Sequence, residues 1–239
     1  MNKENGGNII MRIYQNCKEM MSEVHRDLQE MGVIKHTKTV QDKVVDGNDD
    51  YTTKELVGYS YAILDFSDMD EMITDNGLSL EWCKADFEER ICPREINPGE
   101  AYKLRPVWDE FVHDGKFSYT YNERIRTQLE KTIDVIKNDH DTRQGIIEIY
   151  NSEKDSNRRG GIERIPCSMY YQFISDQNGK LDIIYNIRSN DFGEHYPYDI
   201  WMAISLLKYV AKKVDMEVGK LIYFAGSLHC FKKDLPTTF

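Results

Sequence analysis

The chain has 239 residues, 40% of them hydrophobic, and a formal net charge of -10. That length suits one large domain, and the hydrophobic share supplies a core, which excludes wholesale disorder. The acidic balance argues against a nucleic-acid polymer as the main partner, because duplex binding draws on a basic face. A few local arginines can still bind phosphate in an acidic protein. The opening MNKENGGNII is polar and predicts no secretory signal. No apolar run approaches the ~20 residues that span a bilayer. The cysteines (Cys17, Cys83, Cys92, Cys167, Cys230) are odd in number and form no CxxC pair, so neither a zinc ribbon nor a dithiol motif is indicated. The expectation is a reduced, cytoplasmic protein without a metal site.

Residues 1–9 read as a disordered tail, with the domain expected over 10–239. From Met11 to Met31 apolar residues recur at helical spacing (Ile13, Cys17, Met20, Val24, Leu28), and Gly32 supplies a C-cap. Residues 37–54 are polar, carry DGNDD and read as a loop. The alternating run LVGYSYAILDF (56–66) predicts a strand. Asp75-Asn76-Gly77 marks a turn before a helix over SLEWCKADFEERI (79–91), and Pro93, Pro98 and Gly99 mark a loop. Ile125, Leu129, Ile133 and Ile136 form one stripe of an amphipathic helix over 124–138. GIIEIY (145–150) reads as a strand and the charged, glycine-rich 151–164 as an exposed loop. Strands are expected over 168–175, 180–188 and 220–228, with a buried helix over the apolar 198–214. The pattern predicts one α+β domain whose sheet pairs distant segments.

The chemistry-bearing residues lie in the second half. Pro166-Cys167-Ser168 stands where a charged loop enters a strand, and a nearby arginine there would raise the thiolate fraction of Cys167. Arg188-Ser189-Asn190-Asp191 follows a strand and offers a guanidinium fork and a hydroxyl, suited to phosphate. Pro197-Tyr198-Asp199 opens a helix, and Gly226-Ser227-Leu228-His229 closes a strand. Singly, each has an ordinary explanation: a buried cysteine, a polar turn, an N-cap at Asp199, a satisfied histidine.

Together, in this order and spacing, PCS, YQF, IRSND, P.DI and GSLH resemble the signature of the thymidylate synthase superfamily over about residues 141–231, with traces upstream in DTRQG (141–145), VWDEF (107–111), Tyr121 and LEW (80–82). The resemblance implies a single domain with a mixed β-sheet, packed helices and a sheet-mediated homodimer. It also implies 5,10-methylenetetrahydrofolate as co-substrate and a pyrimidine nucleoside monophosphate as acceptor. By the same resemblance Cys167 adds to C6, making C5 the nucleophile. Arg188 and Ser189 bind phosphate, Gln172 of the YQF run joins the nucleotide site, and Arg143 reaches the phosphate of the other subunit. Asp191 contacts the folate pterin, Trp108 lines the folate side, Tyr121 stands near the nucleophile, and His229 binds the sugar hydroxyl.

Asp199 is the diagnostic position. Uridylate-using members carry Asn there; cytosine offers an N4 donor and an N3 that becomes more basic once C6 is attacked, so a carboxylate can accept both protons, which resembles the pattern of cytidylate hydroxymethylases. A chain ending at Phe239 also lacks most of the tail that methylating members close over the site, which favours water access and hydroxymethyl transfer. The resemblance breaks in three places. Gln144 stands where a second phosphate-binding arginine is common. Ser79 stands where an organising glutamate lies three residues before the tryptophan (Trp82 here), leaving Glu81, Glu88 or Glu89, with Glu81 the assigned candidate. Phe231 replaces a tyrosine of the sugar pocket, which puts CMP ahead of dCMP. The alternatives are methylation of dUMP or dCMP, and an inactive nucleotide-binding homologue.

Overall fold

The computed structural model describes residues 11–40, 43–156 and 164–234. In chain order the elements are β1 (Arg12–Tyr14), α1 (Cys17–Met31), β2 (Val33–His36), β3 (Thr39–Val40), β4 (Lys43–Val44), β5 (Thr52–Ile63), α2 (Met69–Asp75), α3 (Leu80–Ile91), α4 (Tyr121–Asn138), β6 (Gly145–Glu148), α5 (Ser152–Asp155), β7 (Ser168–Ser175), β8 (Leu181–Ile187), β9 (Asn190–Asp191), α6 (Tyr196–Val214) and β10 (Val218–Phe231). Short 3-10 helices at Ala101–Leu104 and Pro106–Phe111 carry the chain between α3 and α4.

β10 organises the sheet, whose order is β1-β5-β10-β8-β7-β6, with β2 on β5 and β9 on β10. It runs antiparallel to β5 and parallel to β8 and β9, so the sheet is mixed. Along β10 the side chains of Leu221, Tyr223 and Ala225 are buried while Phe224 is exposed, the two-residue alternation of a sheet with one face on the core. α6 lies across that core face against β8 and β10 and is itself flanked by α2, α3 and α4. It is therefore apolar nearly all round, as a central helix must be.

The core is rich in tyrosine. Tyr61, Tyr171, Tyr185, Tyr196 and Tyr223 are all fully buried. Their rings stack in pairs, Tyr171 on Tyr185 at 4.7 Å and Tyr61 on Tyr223 at 4.8 Å. Their hydroxyls find partners: Tyr61 with Tyr196 at 2.6 Å, and Asn190 Nδ2 donates to Tyr223 at 3.1 Å. A phenol can be buried only on those terms.

Most expected elements are present with ends shifted by a few residues. The expected helix from Met11 starts instead at Cys17, because Asn16 accepts from Glu19 N and caps it there, while Arg12–Tyr14 pairs in parallel with Tyr61–Ile63. The expected loop 37–54 begins β5 four residues early and follows β2, which pairs with β5. α2 has seven residues, too few to show a periodic signal. The expected loop 151–164 starts with α5, a four-residue turn capped by Asn151; its residues 157–163, like the expected tail 1–9, lie outside the described residues.

Candidate active site

Cys167 stands at the entry to β7, and Arg188 at the exit of its neighbour β8 fixes it from the side. The Arg188 amide donates to the Cys167 carbonyl (2.8 Å), Nε donates to the Pro166 carbonyl (2.9 Å) and Nη2 to the Ile165 carbonyl (3.2 Å). Nη2 then lies 3.9 Å from Sγ. Burial pushes the Cys167 thiol above its usual range, and Arg188 is the strongest opposing influence. β10 holds Arg188 in turn: Ser227 N donates to its carbonyl at 3.1 Å. Gly226 permits that approach, since a Cβ there would meet the Arg188 oxygen at 2.8 Å.

The parallel pairing of β9 with β10 sets Asp191 beside His229. Asp191 accepts from Gly193 N at 3.1 Å, and burial, reinforced by Asp234, pushes its carboxyl up to about 7. Burial holds His229 down to about 4, so it is a neutral imidazole, with Nδ1 3.3 Å from Ser227 Oγ and its ring edge-on to the buried Phe231 at 5.2 Å.

Asp199 is not a helix cap. α6 starts at Tyr196 after His195, and Asp199 sits a turn in, its amide donating to the His195 carbonyl at 3.0 Å. Burial raises its carboxyl to about 6 against the pull of Arg90, Arg105 and Arg164. None of these arginines belongs to the motif read from the sequence.

Arg90 and Arg164, which act on Asp199, also border a cavity walled by Trp82, Tyr102, Trp108, Phe117, Tyr119 and Tyr121 and bearing Asp86 and Glu89. α3 supplies one face of it. Trp82, Asp86 and Arg90 are spaced by four, so they share a stripe, and this stripe turns inward. Asp86 accepts from Arg90 Nε at 2.6 Å, and the Arg90 guanidinium lies 3.8 Å from the centre of the Tyr121 ring. Glu81 is exposed on the opposite side, Glu88 is exposed, and Glu89 is spent on the amides of Glu100 and Ala101. Of the two α3 carboxylates at the cavity, Asp86 is therefore the one not spent on loop amides. Ser79, at the family's glutamate position, is the N-cap of α3, accepting from Trp82 N at 3.1 Å. Among the described residues, Trp82 Nε1, Arg90 Nη1 and Arg105 Nη1 are buried donors without a protein acceptor.

Trp108 is stacked on His195 (5.3 Å, 18°) and has Arg164 3.9 Å from its ring centre. Tyr121 opens α4, placed by the Thr120–Glu123 capping box. Ser189 is half-buried beside Arg188. Gln172 and Arg143 are not gathered into this cavity. Gln172 faces away from the core side of β7 that Tyr171 and Phe173 occupy, and donates to the Arg143 carbonyl at 3.0 Å; the Arg143 side chain is exposed. The buried arginines and Asp86 escaped the motif reading, although the 82/86/90 spacing on α3 was visible in it. Among the described residues no group of three or more His, Cys, Asp or Glu is arranged to hold a metal, and no helix is long and apolar enough to cross a membrane.

A mixed sheet carrying cysteine, arginine, aspartate and histidine at its strand ends, with a central helix behind, is the arrangement of the thymidylate synthase fold. The structure superposes on thymidylate synthase from T4 phage with a TM-score of 0.72 at 23% identity, covering 92% of this chain and 79% of that one. The family model for thymidylate synthase matches residues 82–238, and the chain belongs to that family. A putative thymidylate synthase of Methanosarcina mazei is 29% identical over 142 residues, 56% of this chain and 62% of the relative. A thymidylate synthase of Novosphingobium aromaticivorans is 26% identical over 158 residues, 62% of this chain and 48% of the relative. The chain thus spans less than two thirds of the length of these relatives.

Proposed function

We propose that this protein transfers a one-carbon unit from 5,10-methylenetetrahydrofolate to C5 of a cytidine monophosphate, giving the 5-hydroxymethyl nucleotide. The observation that carries the reading is the pairing of Cys167 with Arg188 at the strand ends, opposite a half-buried carboxylate, Asp199. Cys167 adds to C6, the electron pair displaced onto C5 attacks the one-carbon unit, C5 then gives up its proton as tetrahydrofolate leaves by elimination, and water adds to the exocyclic methylene as the Cys167–C6 bond breaks. Arg188 and Ser189 hold phosphate, and His229, neutral, can both donate to and accept from a sugar hydroxyl. Asp199 is mostly ionised at neutral pH and accepts from N4 of cytosine, and from N3 once addition at C6 has made N3 basic enough to carry a proton, whereas uracil presents an acceptor at O4.

The cavity beside this centre fits the co-substrate. Its aromatic walls suit a flat ring, and the unpaired donors of Arg90 and Trp82 suit ring acceptors. Asp191, carried near neutrality, can share a proton with a pterin nitrogen. The same charged lining supports hydroxymethyl transfer, because Asp86 and Arg90 can hold and polarise a water in place of hydride delivery. Phe231, which lacks a phenol beside His229, supports a ribose and so CMP over dCMP. We further propose a homodimer through the open sheet face, with the exposed Arg143, whose carbonyl Gln172 holds, reaching the partner's phosphate.

Release of tritium from C5 of CMP, dCMP and dUMP, with methylenetetrahydrofolate present, tests the reading. CMP is expected to exchange fastest and to yield hydroxymethyl product without dihydrofolate. Preferred turnover of dUMP overturns the role given to Asp199, and dihydrofolate formation overturns hydroxymethyl transfer. Exchange no faster than that of Cys167→Ser, with nucleotide still bound, would instead establish a non-catalytic binding protein.

A further inference from the structure

Ser168, the residue after the nucleophile, is fully buried and its hydroxyl bridges two phenols, Tyr121 Oη at 2.9 Å and Tyr185 Oη at 2.7 Å. Tyr185 is fully buried too, and Tyr171 is stacked on it. Tyr121 is the open end: it is only partly buried and lines the cavity.

Each of the three bridged oxygens carries one proton, and with the buried Ser168 proton spent on one of its two phenols the chain has two polarities. In the inward one, Tyr121 donates to Ser168 and Ser168 to Tyr185, which leaves the Tyr185 proton in the buried core, with no hydrogen-bonded acceptor beyond Ser168 among the described residues. In the outward one, Tyr185 donates to Ser168, Ser168 donates to Tyr121, and the Tyr121 proton faces the cavity, where substrate or water can accept it. A buried donor without an acceptor is costly, and the outward polarity avoids it. Aligned hydroxyls also polarise one another, so the terminal phenol becomes a stronger donor than it would be alone. Arg90 works in the same direction, its guanidinium 3.8 Å from the Tyr121 ring centre. Burial raises the phenol of Tyr121, and the Arg90 charge opposes that rise.

We infer that Ser168 and Tyr185 are positioning residues that aim and polarise Tyr121 as a hydrogen-bond donor toward an acceptor on the nucleotide ring held against Cys167. The assignment rests on the proposed reading of the site, but the polarity of the chain can be measured without turnover.

A fluorinated tyrosine placed at 121 reports its own ionisation by absorbance. Tyr185→Phe removes one oxygen and keeps the ring stack; Ser168→Ala removes the bridge. Both are expected to make the labelled phenol about a tenfold weaker acid, and Ser168→Thr to restore it. With unlabelled protein, both are expected to lower kcat about tenfold while KM stays within about twofold, and the double variant to be no worse than either single one. A variant that merely loosens the fold lowers the melting temperature and leaves the labelled phenol where it was. An unmoved phenol overturns the inference even in an active enzyme. A phenol that moves as expected in a protein that turns over no nucleotide overturns the reaction reading and leaves the polarity standing.

Discussion

Asp86 and Arg90 face each other one turn apart on α3, the carboxylate accepting from Nε at 2.6 Å, and the pair borders the cavity, from which Arg90 also acts on Asp199. The family's helix offers a glutamate to the reacting ring; this helix offers a carboxylate already paired with a cation. Asp86→Asn is expected to slow C5 exchange by ~10²-fold or more, the scale of a lost acid–base group. Glu81→Gln is expected to stay within about twofold of wild type, since Glu81 projects to solvent on the other side. Steady-state rates of the two variants separate the candidates, and a loss at Glu81 alone returns the role to it.

Asp199 sets a pH limb. Its carboxyl is raised to about 6, and only the ionised form can accept from both N4 and the N3 that is protonated after addition at C6. Cytidylate kcat/KM is expected to fall as pH drops through about 6, by about tenfold per further unit. Asp199→Asn removes that limb, and turnover of uridylate is expected to overtake that of cytidylate.

Asp191 places a cost on the fold. Its carboxyl is raised to about 7 by burial, so the folded protein holds a proton that the unfolded chain has released. Wild-type stability is therefore expected to fall as pH rises from the ordinary carboxylate range to about 7 and to level off above. Asp191→Asn keeps an acceptor for Gly193 N and carries no charge. The variant's gain in melting temperature should grow over the same interval, and a gain independent of pH speaks against a buried charge. Its activity should fall, because the proposed contact with the co-substrate goes with the carboxyl.

Gly226 tests the support of the nucleophile. A methyl there collides with the Arg188 carbonyl at 2.8 Å, and Arg188 is the strongest influence drawing the Cys167 thiol down. Gly226→Ala is expected to slow alkylation of Cys167 by iodoacetamide at neutral pH by roughly tenfold, one unit of thiol acidity. Peptide mapping distinguishes Cys167 from Cys92, the other cysteine that is not buried.

How much of this was legible beforehand follows from range in sequence. β7 was read at its observed ends, 168–175, because alternation is local and the run has β-branched and aromatic residues. Cys167, Arg188, Asp191, Asp199 and His229 were readable as a spaced motif, and the structure sets them at strand ends and the first turn of α6. Asp199 as an N-cap was not separable from Asp199 in the first turn, since both precede the same apolar stretch by a few residues. Arg90, Arg105 and Arg164 were illegible for another reason. Arginine on a helix or loop reads as solvated surface, and only the packing of α3 and the 96–122 segment puts Arg90 and Arg105 inside. β1 was read as helix because three residues cannot announce a strand whose partner lies some fifty positions away.

β10 supports His229 through β9, Arg188 through Gly226 and Ser227, and β5 along ten paired residues. Disruption of β10 therefore disturbs the arginine beside the thiol and the histidine of the proposed sugar site together, so the two halves of the nucleotide site share one mechanical support.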